Sequence, residues 1–454
     1  EHWGTELGFI LAAAGSAIGL GTLWKVPYVI GKNGGGLFVL IYILCLLLIG
    51  TPVFIAELIL GRKSQRAAVS TFANLGNNVS FWKSTGWIGV FTSFLLMSYY
   101  SVVAGWGLNY LLMALTPASL ERAPGELLQV FRVLEKSGDI TLLWHLLFTG
   151  LAVALVYQGV KEGIEYWSKY MTSALFFMLL GLCLYGMGLD GFGQALQFIF
   201  SPDFSKLKPS GALEALGLSF FTLSVGQGIM ITYGSYMRRS EDIPRTGIII
   251  SAAIVGISIL SGLTIFPIIF TFGQSPSGGE GLVFQTLPTL FSQMKGSLLI
   301  ATLFFTLFTF AALTSAMAFI EVVAANSMDL WGWTRKKAVL LAGLGTFVVG
   351  IPSALSHSTV LFPNWQEIFG MTFLQTMDAL VSTWLLSVGG LLVALFTGWK
   401  LERAIAKEEF LSGTRLPWLF TPWFFFIRWI APIAILLIIL QSAGLIDFDK
   451  LVGT

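Results

Sequence analysis

Eleven stretches without a single charged residue constrain this chain more than any other feature. They are Leu7–Trp24 (continuing past Lys25), Leu37–Ala56, Ser84–Leu115, Ile140–Tyr157, Tyr170–Leu189, Ala215–Met237, Thr246–Phe272, Gly296–Ile320, Ala338–Ser353, Ala379–Trp399 and Trp429–Ile446. About 20 apolar residues cross the hydrocarbon core of a bilayer. Each run therefore reads as a transmembrane α-helix, with Ala338–Ser353 short for a span. Only 11% of the 454 residues are charged and 55% are hydrophobic, a composition that excludes a soluble globular fold. No small-residue cleavage signal follows the first run, so it reads as a span rather than a leader. Ala123–Lys136 and Gly281–Lys295 have mixed composition and read as extramembrane helices in longer loops.

The excess of Lys and Arg alternates between loops. One side collects Arg62, Lys63, Arg66, Lys83, Lys161, Arg238, Arg239, Arg245, Arg335, Lys336, Lys337, Lys400, Arg403, Lys407 and Arg415. The other side holds fewer, chiefly Lys32, Arg122, Arg132, Lys136, Lys206, Lys208 and Lys295. The N-terminus is expected in the cytoplasm and the C-terminus outside the cell's inner (plasma) membrane. The net charge of +2 gives no reason to expect nucleic acid, because the basic residues sit in short loops. Cys45 and Cys183 lie in apolar runs, and His2, His145 and His357 share no metal-ligand spacing.

Three of the seven residues Gly15–Gly21 are glycine, each costing roughly 1 kcal/mol against alanine inside a helix. The stretch is either a small-residue packing surface or a break in the helix. Irregular backbone at that depth is tolerated only where it is buried in protein or lines a cavity. A second glycine-interrupted span, Ser219–Gly228, lies five spans later. Corresponding breaks in two halves point to an inverted repeat with a site at the membrane midplane. The division is 1–190 for spans one to five, 191–400 for spans six to ten, and 401–454 for a cytoplasmic loop and span eleven. Half-helix N-termini suit a carboxylate, and freed carbonyls suit a small cation. A small zwitterion with one or two alkali ions are natural occupants.

Ala311, Thr314 and Ser315 share one helical face. Together with the carbonyls of Gly15 and Ile18 they offer five oxygens to a hard cation. Back-bonding of the two hydroxyls to the preceding turn is the plainer alternative. Charged residues in or beside spans are costly and usually functional. Glu57 and Glu321 are expected at the ends of spans two and eight, and Lys25 and Asp378 face each other as a gate or simply face water. Tyr99, Tyr100 and Phe221 are by themselves compatible with ordinary packing.

Five stretches taken together resemble the neurotransmitter:sodium symporter family. They are His2-Trp3-Gly4; Gly15–Gly21 with Pro27 and Asn33–Gly36; Glu57 before Gly61-Arg62; Phe220–Ser224 with Ile231-Thr232-Tyr233; and Ala311–Ser315. The resemblance covers residues 1–400 and implies an all-α, eleven-span, 5+5 inverted-repeat fold of the leucine-transporter type, with broken helices one and six. It implies secondary active transport of an amino acid or related amine by alternating access. By resemblance, Gly15, Ile18, Ala311, Thr314 and Ser315 hold one sodium ion. The substrate site is Ser16, Ala17, Gly21, Leu96, Tyr100, Phe221, Thr222, Ser224, Gln227, Ser315 and Phe319. Lys25, Asp378 and Phe221 form the outer gate; Trp3, Tyr236 and Asp329 form the inner one, whose usual arginine would precede residue 1.

Departures from the family pattern bear on the ions. A second sodium site retains Ala17, Thr22 and Thr222, but threonine and Ile254 stand where the family has asparagine. One sodium ion is expected and a second is open. Tyr42, Thr222 and Ser258 can touch an anion, while Leu218 replaces a glutamine, so chloride dependence is open. No acidic residue stands at Ser16–Ala17, which favours an amino acid over an amine. Bulky Phe319 favours a neutral, hydrophobic substrate. The expected partners are that small molecule and membrane lipid, for a monomer or homodimer. Coupling to lithium or to protons through Glu57 or Glu321 is the main alternative, and a channel is a weaker one. No Ser-His-Asp set, His-Glu-x-x-His motif or paired intramembrane aspartates suggest an enzyme.

Overall fold

The computed structural model describes residues 2–116, 124–276, 281–358 and 360–452. The expected starting point of one loop helix, Ala123, and the basic residue Arg122 lie outside the described residues. Every regular element among the described residues is helical. Among the described residues nine helices are long and apolar enough to cross a membrane, or ten if a bent pair counts as one span. That pair is α1 (Glu6–Ala17) and α2 (Gly21–Lys32), bent by 51°. The others are α3 (Gly36–Ser64), α4 (Ser80–Ala114), α5 (Gly138–Tyr157) and α6 (Val160–Gly186). After two shorter helices, α7 (Pro209–Thr222) and α8 (Ile229–Ser235), come α9 (Ile243–Thr271), α10 (Ser297–Trp331) and α11 (Arg335–Ala354). The chain ends with α12 (Phe373–Lys400), the short α13 (Arg403–Leu411) and α14 (Pro417–Ser442). The expected loop helices are present as Pro124–Lys136 and Leu282–Phe291.

Burial separates centre from rim. The most apolar window of α4 is 83% buried, against 33% for α5 and 39% for α14. Exposed Leu143, Leu146, Leu147 and Leu151 on α5 present the apolar face that a lipid-facing helix needs. Helix α4 packs along α10; α1 sits against α10, and α8 sits against α3 and α10. Local chemistry sets the helix starts. Thr5 Oγ1 accepts the Gly8 N–H at 3.0 Å, and Asp242 Oδ1 accepts the Arg245 N–H at 3.0 Å.

Four expected boundaries are corrected, each at a charge. Glu57 does not end its helix but lies fully buried within α3. Glu321 is likewise buried inside α10, ten residues before its end at Trp331. Helix α6 begins at Val160 rather than near Tyr170, taking in Lys161, Glu162, Glu165 and Lys169. Helix α14 begins at Pro417 rather than Trp429, because Arg428 is carried over the rings of Trp399 and Trp429 at 4.6 and 5.7 Å. The run Ala215–Met237 is not one helix: α7 stops at Thr222 and α8 starts at Ile229.

Candidate functional site

Both readings of the Gly15–Gly21 stretch are correct. Helix α1 stops at Ala17, where the Ile18 N–H donates to the Ala14 carbonyl, and helical structure resumes at Gly21. Each glycine is also approached by a different element. A Cβ on Gly15 would lie 2.3 Å from Thr172 Oγ1 of α6. One on Gly19 would lie 2.3 Å from Ser315 Oγ of α10 and 2.9 Å from Tyr100 Oη of α4. One on Gly21 would lie 2.4 Å from Phe221 Cε1 of α7. Real Cβ atoms do not come that close, so the break is also where four helices converge.

The second break, Leu223–Gly228, is held open by left-handed backbone at Ser224, Gly226 and Gly228, with φ of 55°, 80° and 72°. Its freed donors need partners. Buried Glu57 supplies one, accepting the Gly226 N–H at 2.7 Å. The two breaks touch: the Ser224 hydroxyl donates to the Ser16 carbonyl at 3.3 Å.

Three of the five oxygens expected for a cation meet at Thr314. Its Oγ1 lies 2.8 Å from the Gly15 carbonyl, 3.0 Å from that of Ala311 and 3.1 Å from that of Phe310. Ser315 Oγ donates to the Ser16 carbonyl at 2.8 Å. The back-bonding reading holds too, since Phe310 and Ala311 lie one turn earlier. One hydroxyl proton cannot serve three carbonyls, however, and a cation among these oxygens would satisfy the lone pairs it leaves. The second expected ligand set is assembled less well. Thr22 Oγ1 reaches the Ala17 carbonyl at 3.3 Å. The Thr222 hydroxyl is engaged by the carbonyls of Leu218 and Ser219 in its own helix, at 3.0 and 3.2 Å. It also accepts from Tyr42 Oη at 2.9 Å, and Tyr42 lies 3.1 Å from Ser258. Buried Ile254 brings no side-chain oxygen, although its helix α9 packs against the first turn of α2.

Beside the first break lies a cavity of about 80 Å³. Gly21, Tyr100, Phe221, Lys25 and Asp378 line it as expected, and Tyr99 and Val103 join them. Tyr100 Oη accepts the Leu20 N–H at 3.2 Å, which places one hydroxyl and the start of α2 at a common point. Lys25 Nζ bridges both Asp378 oxygens, at 3.1 and 3.4 Å, and lies 4.7 Å from the centre of the Phe221 ring. A lysine makes a weaker two-point contact than an arginine. Here Asp378 gains further donors, Tyr99 Oη at 3.0 Å and Ser382 Oγ at 2.7 Å. Leu96, Gln227 and Phe319 do not line this cavity. They are buried, and the Phe319 ring meets Tyr100 edge-on at 5.3 Å.

A family model described as the sodium:neurotransmitter symporter family matches residues 1–123 and 118–451. The chain belongs to that family. It is 37% identical over 448 residues to an uncharacterized sodium-dependent transporter of Bacillus subtilis, covering 98% of each chain. It is 31% identical to one of Haemophilus influenzae, covering 97% of this chain and 98% of the other. The crystal structure of MhsT in complex with L-phenylalanine superposes with a TM-score of 0.90 at 38% identity, covering 97% of this chain and 99% of that one. The protein is thus a multi-pass membrane transporter of a sodium-dependent family.

At the end of the molecule that holds the N-terminus, Trp3, Tyr236 and Asp329 each have a defined partner. Trp3 Nε1 donates to the Tyr233 carbonyl at 2.9 Å, and its ring meets those of Tyr233 and Tyr236. Asp329 pairs with Arg66 at 2.7 Å. Two residues here, Arg335 and Glu165, had no assigned role. Arg335 binds Glu321 at 2.5 Å, and Tyr236 Oη donates to the same carboxylate at 2.6 Å. Glu165 accepts the Gly4 N–H at 2.6 Å, the Thr5 N–H at 3.1 Å and the Thr5 hydroxyl at 2.9 Å. The one sequence signal for them is a carboxylate or arginine placed where a helix enters the apolar region.

Proposed function

We propose that the chain is an eleven-span, sodium-coupled symporter that imports a neutral amino acid with a largely apolar side chain by alternating access. The observation that carries this reading is the Thr314–Gly15 and Ser315–Ser16 pairing, which ties the break in α1 to α10 through oxygens. In this reading α1 with α2, and α7 with α8, are the two broken spans of the 1–190 and 191–400 repeats. The amino acid's carboxylate meets Tyr100 and the start of α2, and its amine meets carbonyls of Ala17, Phe221 and Thr222. Lys25, Asp378 and Phe221 close the outer side; the Trp3–Tyr236, Arg66–Asp329 and Arg335–Glu321 contacts close the cytoplasmic side. The N-terminus is cytoplasmic and the C-terminus external. Sodium names in two relatives and the phenylalanine bound by MhsT support the ion and the substrate class.

One ion is sufficient for useful work. A charge moving down ~100 mV releases about 2.3 kcal/mol, which supports roughly 50-fold accumulation at 1.4 kcal/mol per factor of ten. Glu321 is held by Tyr236 and Arg335, which speaks against it as the coupling proton carrier. The test is a thermal-shift screen of the twenty amino acids, each with and without sodium, followed by proteoliposome uptake under separate Na⁺, Li⁺, K⁺ and H⁺ gradients. Sodium-dependent stabilisation by at least one neutral amino acid, with sodium-driven uptake and counterflow, is expected. Uptake driven by no cation gradient would refute the reading.

Asparagine at both altered positions should restore the missing amide oxygens. Thr22→Asn with Ile254→Asn is expected to raise the number of sodium ions bound per substrate from about one to about two. Sodium-22 binding at saturating amino acid measures this directly. An unchanged stoichiometry in a folded double variant would show that these positions do not limit the second ion.

A further inference from the structure

Helix α13 (Arg403–Leu411), between α12 and α14, spends its acids inward and leaves its bases outward. Glu409 is buried against Arg62, and Lys63 lies 3.5 Å from Glu409 and 3.6 Å from Glu408. The Phe410 ring fixes the helix to the start of α14, at 5.5 Å from Phe420 and 5.0 Å from Trp423. Arg403 and Lys407, one turn apart, are exposed. With Leu411, Pro417 and Phe420 they line a cavity of about 550 Å³ that no acidic residue lines. The remaining acid, Glu402, stands at the N-cap of α13, outside that lining. Arg403 lies 5.3 Å from the centre of the Phe424 ring, and Arg428 approaches the same ring at 6.0 Å. Arg428 Nε is buried without a partner. Among the described residues, Arg403, Lys407 and Arg428 form no ion pair.

The same corner carries an apolar stripe. Trp418, Phe425, Trp429 and Ile433 follow one another at seven, four and four residues, which keeps them on one face of α14. Each is at least 45% exposed, and so is Trp399, whose ring carries the Arg428 guanidinium at 4.6 Å. Tryptophan beside basic residues is the pattern of a membrane–water interface. We propose that this corner binds an anionic phospholipid, its headgroup phosphate between Arg403 and Lys407 and its acyl chains along the Trp418–Ile433 stripe. A guanidinium suits a phosphate, and the unpaired cations lack a counter-charge that such a lipid supplies. A zwitterionic lipid fits less well, because its own cation opposes these. A soluble anion would leave the stripe unused. A second copy of this chain, meeting the corner through a two-fold contact, would set like charges against each other. The proposal is independent of the transported substrate and of the coupling ion.

The test uses the full-length protein, stripped of lipid in detergent and melted with added phosphatidylglycerol, phosphatidylcholine or inorganic phosphate. Native mass spectrometry counts the lipid retained. Phosphatidylglycerol should bind about tenfold or more tightly than phosphatidylcholine, and Arg403→Gln with Lys407→Gln should erase that preference, the scale expected for two basic residues at a membrane surface. Lys336→Gln with Lys337→Gln removes equal charge and should leave the preference intact. Melting with phosphatidylcholine checks the fold of each variant; if the first pair does not fold, Lys407→Gln alone should still weaken the preference. Equal binding of the two lipids, stabilisation by inorganic phosphate as large as by phosphatidylglycerol, or equal loss in both double variants would overturn the proposal.

Discussion

Replacing Thr314 and Ser315 together by alanine is expected to abolish sodium-dependent substrate binding while the protein stays folded. Two of the five oxygens proposed for the ion are these hydroxyls, and a hard cation has no affinity for the methyl groups that would replace them. The loss in sodium affinity should exceed ~100-fold, beyond the 10–100-fold that even a partner of a metal ligand usually carries. Stability should suffer far less. Two buried hydrogen bonds, to the carbonyls of Gly15 and Ser16, are lost, at about 0.5–1.5 kcal/mol each. The close approach of α10 to Gly15 and Gly19 does not depend on them alone, because Tyr100 and Thr172 also converge there. Thermal shift with amino acid across a sodium titration separates the two effects. An intact sodium dependence in the double variant would remove this site from the mechanism.

How far such a site was legible in the sequence depended on distance along the chain and on charge. Where a charge-free run coincides with a helix, the bounds are close: Ile140–Tyr157 was expected and Gly138–Tyr157 is found. The break at Gly15–Gly21 was legible because glycine weakens a helix locally. Its second role, admitting Thr172, Ser315 and Phe221, depends on partners more than 150 residues away and leaves no local trace. Charge misled where it was paired. A run that stops at Glu57 or Glu321 assumes that the carboxylate reaches water. In fact one carboxylate takes the Gly226 N–H on one of its oxygens, and the other takes Tyr236 with Arg335, inside the protein. The partner of Asp329 is Arg66, 263 positions away, and no periodicity or spacing could have linked them. These contacts were thus visible as residues and invisible as pairs.

The largest loss of stability is expected at one such hidden pair. Arg62 is near the end of α3, and its side chain is fully buried. Its Nε donates to Glu409 Oε2 of α13 at 3.0 Å. Nη1 donates to the Glu241 carbonyl at 2.6 Å, and Nη2 to the Glu409 carbonyl. One guanidinium therefore joins three segments that are far apart in the chain, and all its bonds are charge-assisted. Arg62→Ala would leave the Glu409 carboxylate, only 3% exposed, with Lys63 at 3.5 Å as its remaining cation. Breaking a buried pair from one side typically costs about 3–5 kcal/mol, mostly the penalty of the abandoned charge. The melting temperature should fall by more than about 5 °C. Removing both charges is a different experiment. Arg62→Met with Glu409→Met takes away the uncompensated carboxylate and refills the volume, so most of the lost stability should return. Two carbonyls would still lack their donor, and recovery should stop short of complete. Thermal melting of the wild type, the single variant and the double variant in one detergent decides the matter. If the double variant melts as low as Arg62→Ala, the cost comes from the missing backbone contacts, and the ion pair is not what holds α13 against α3.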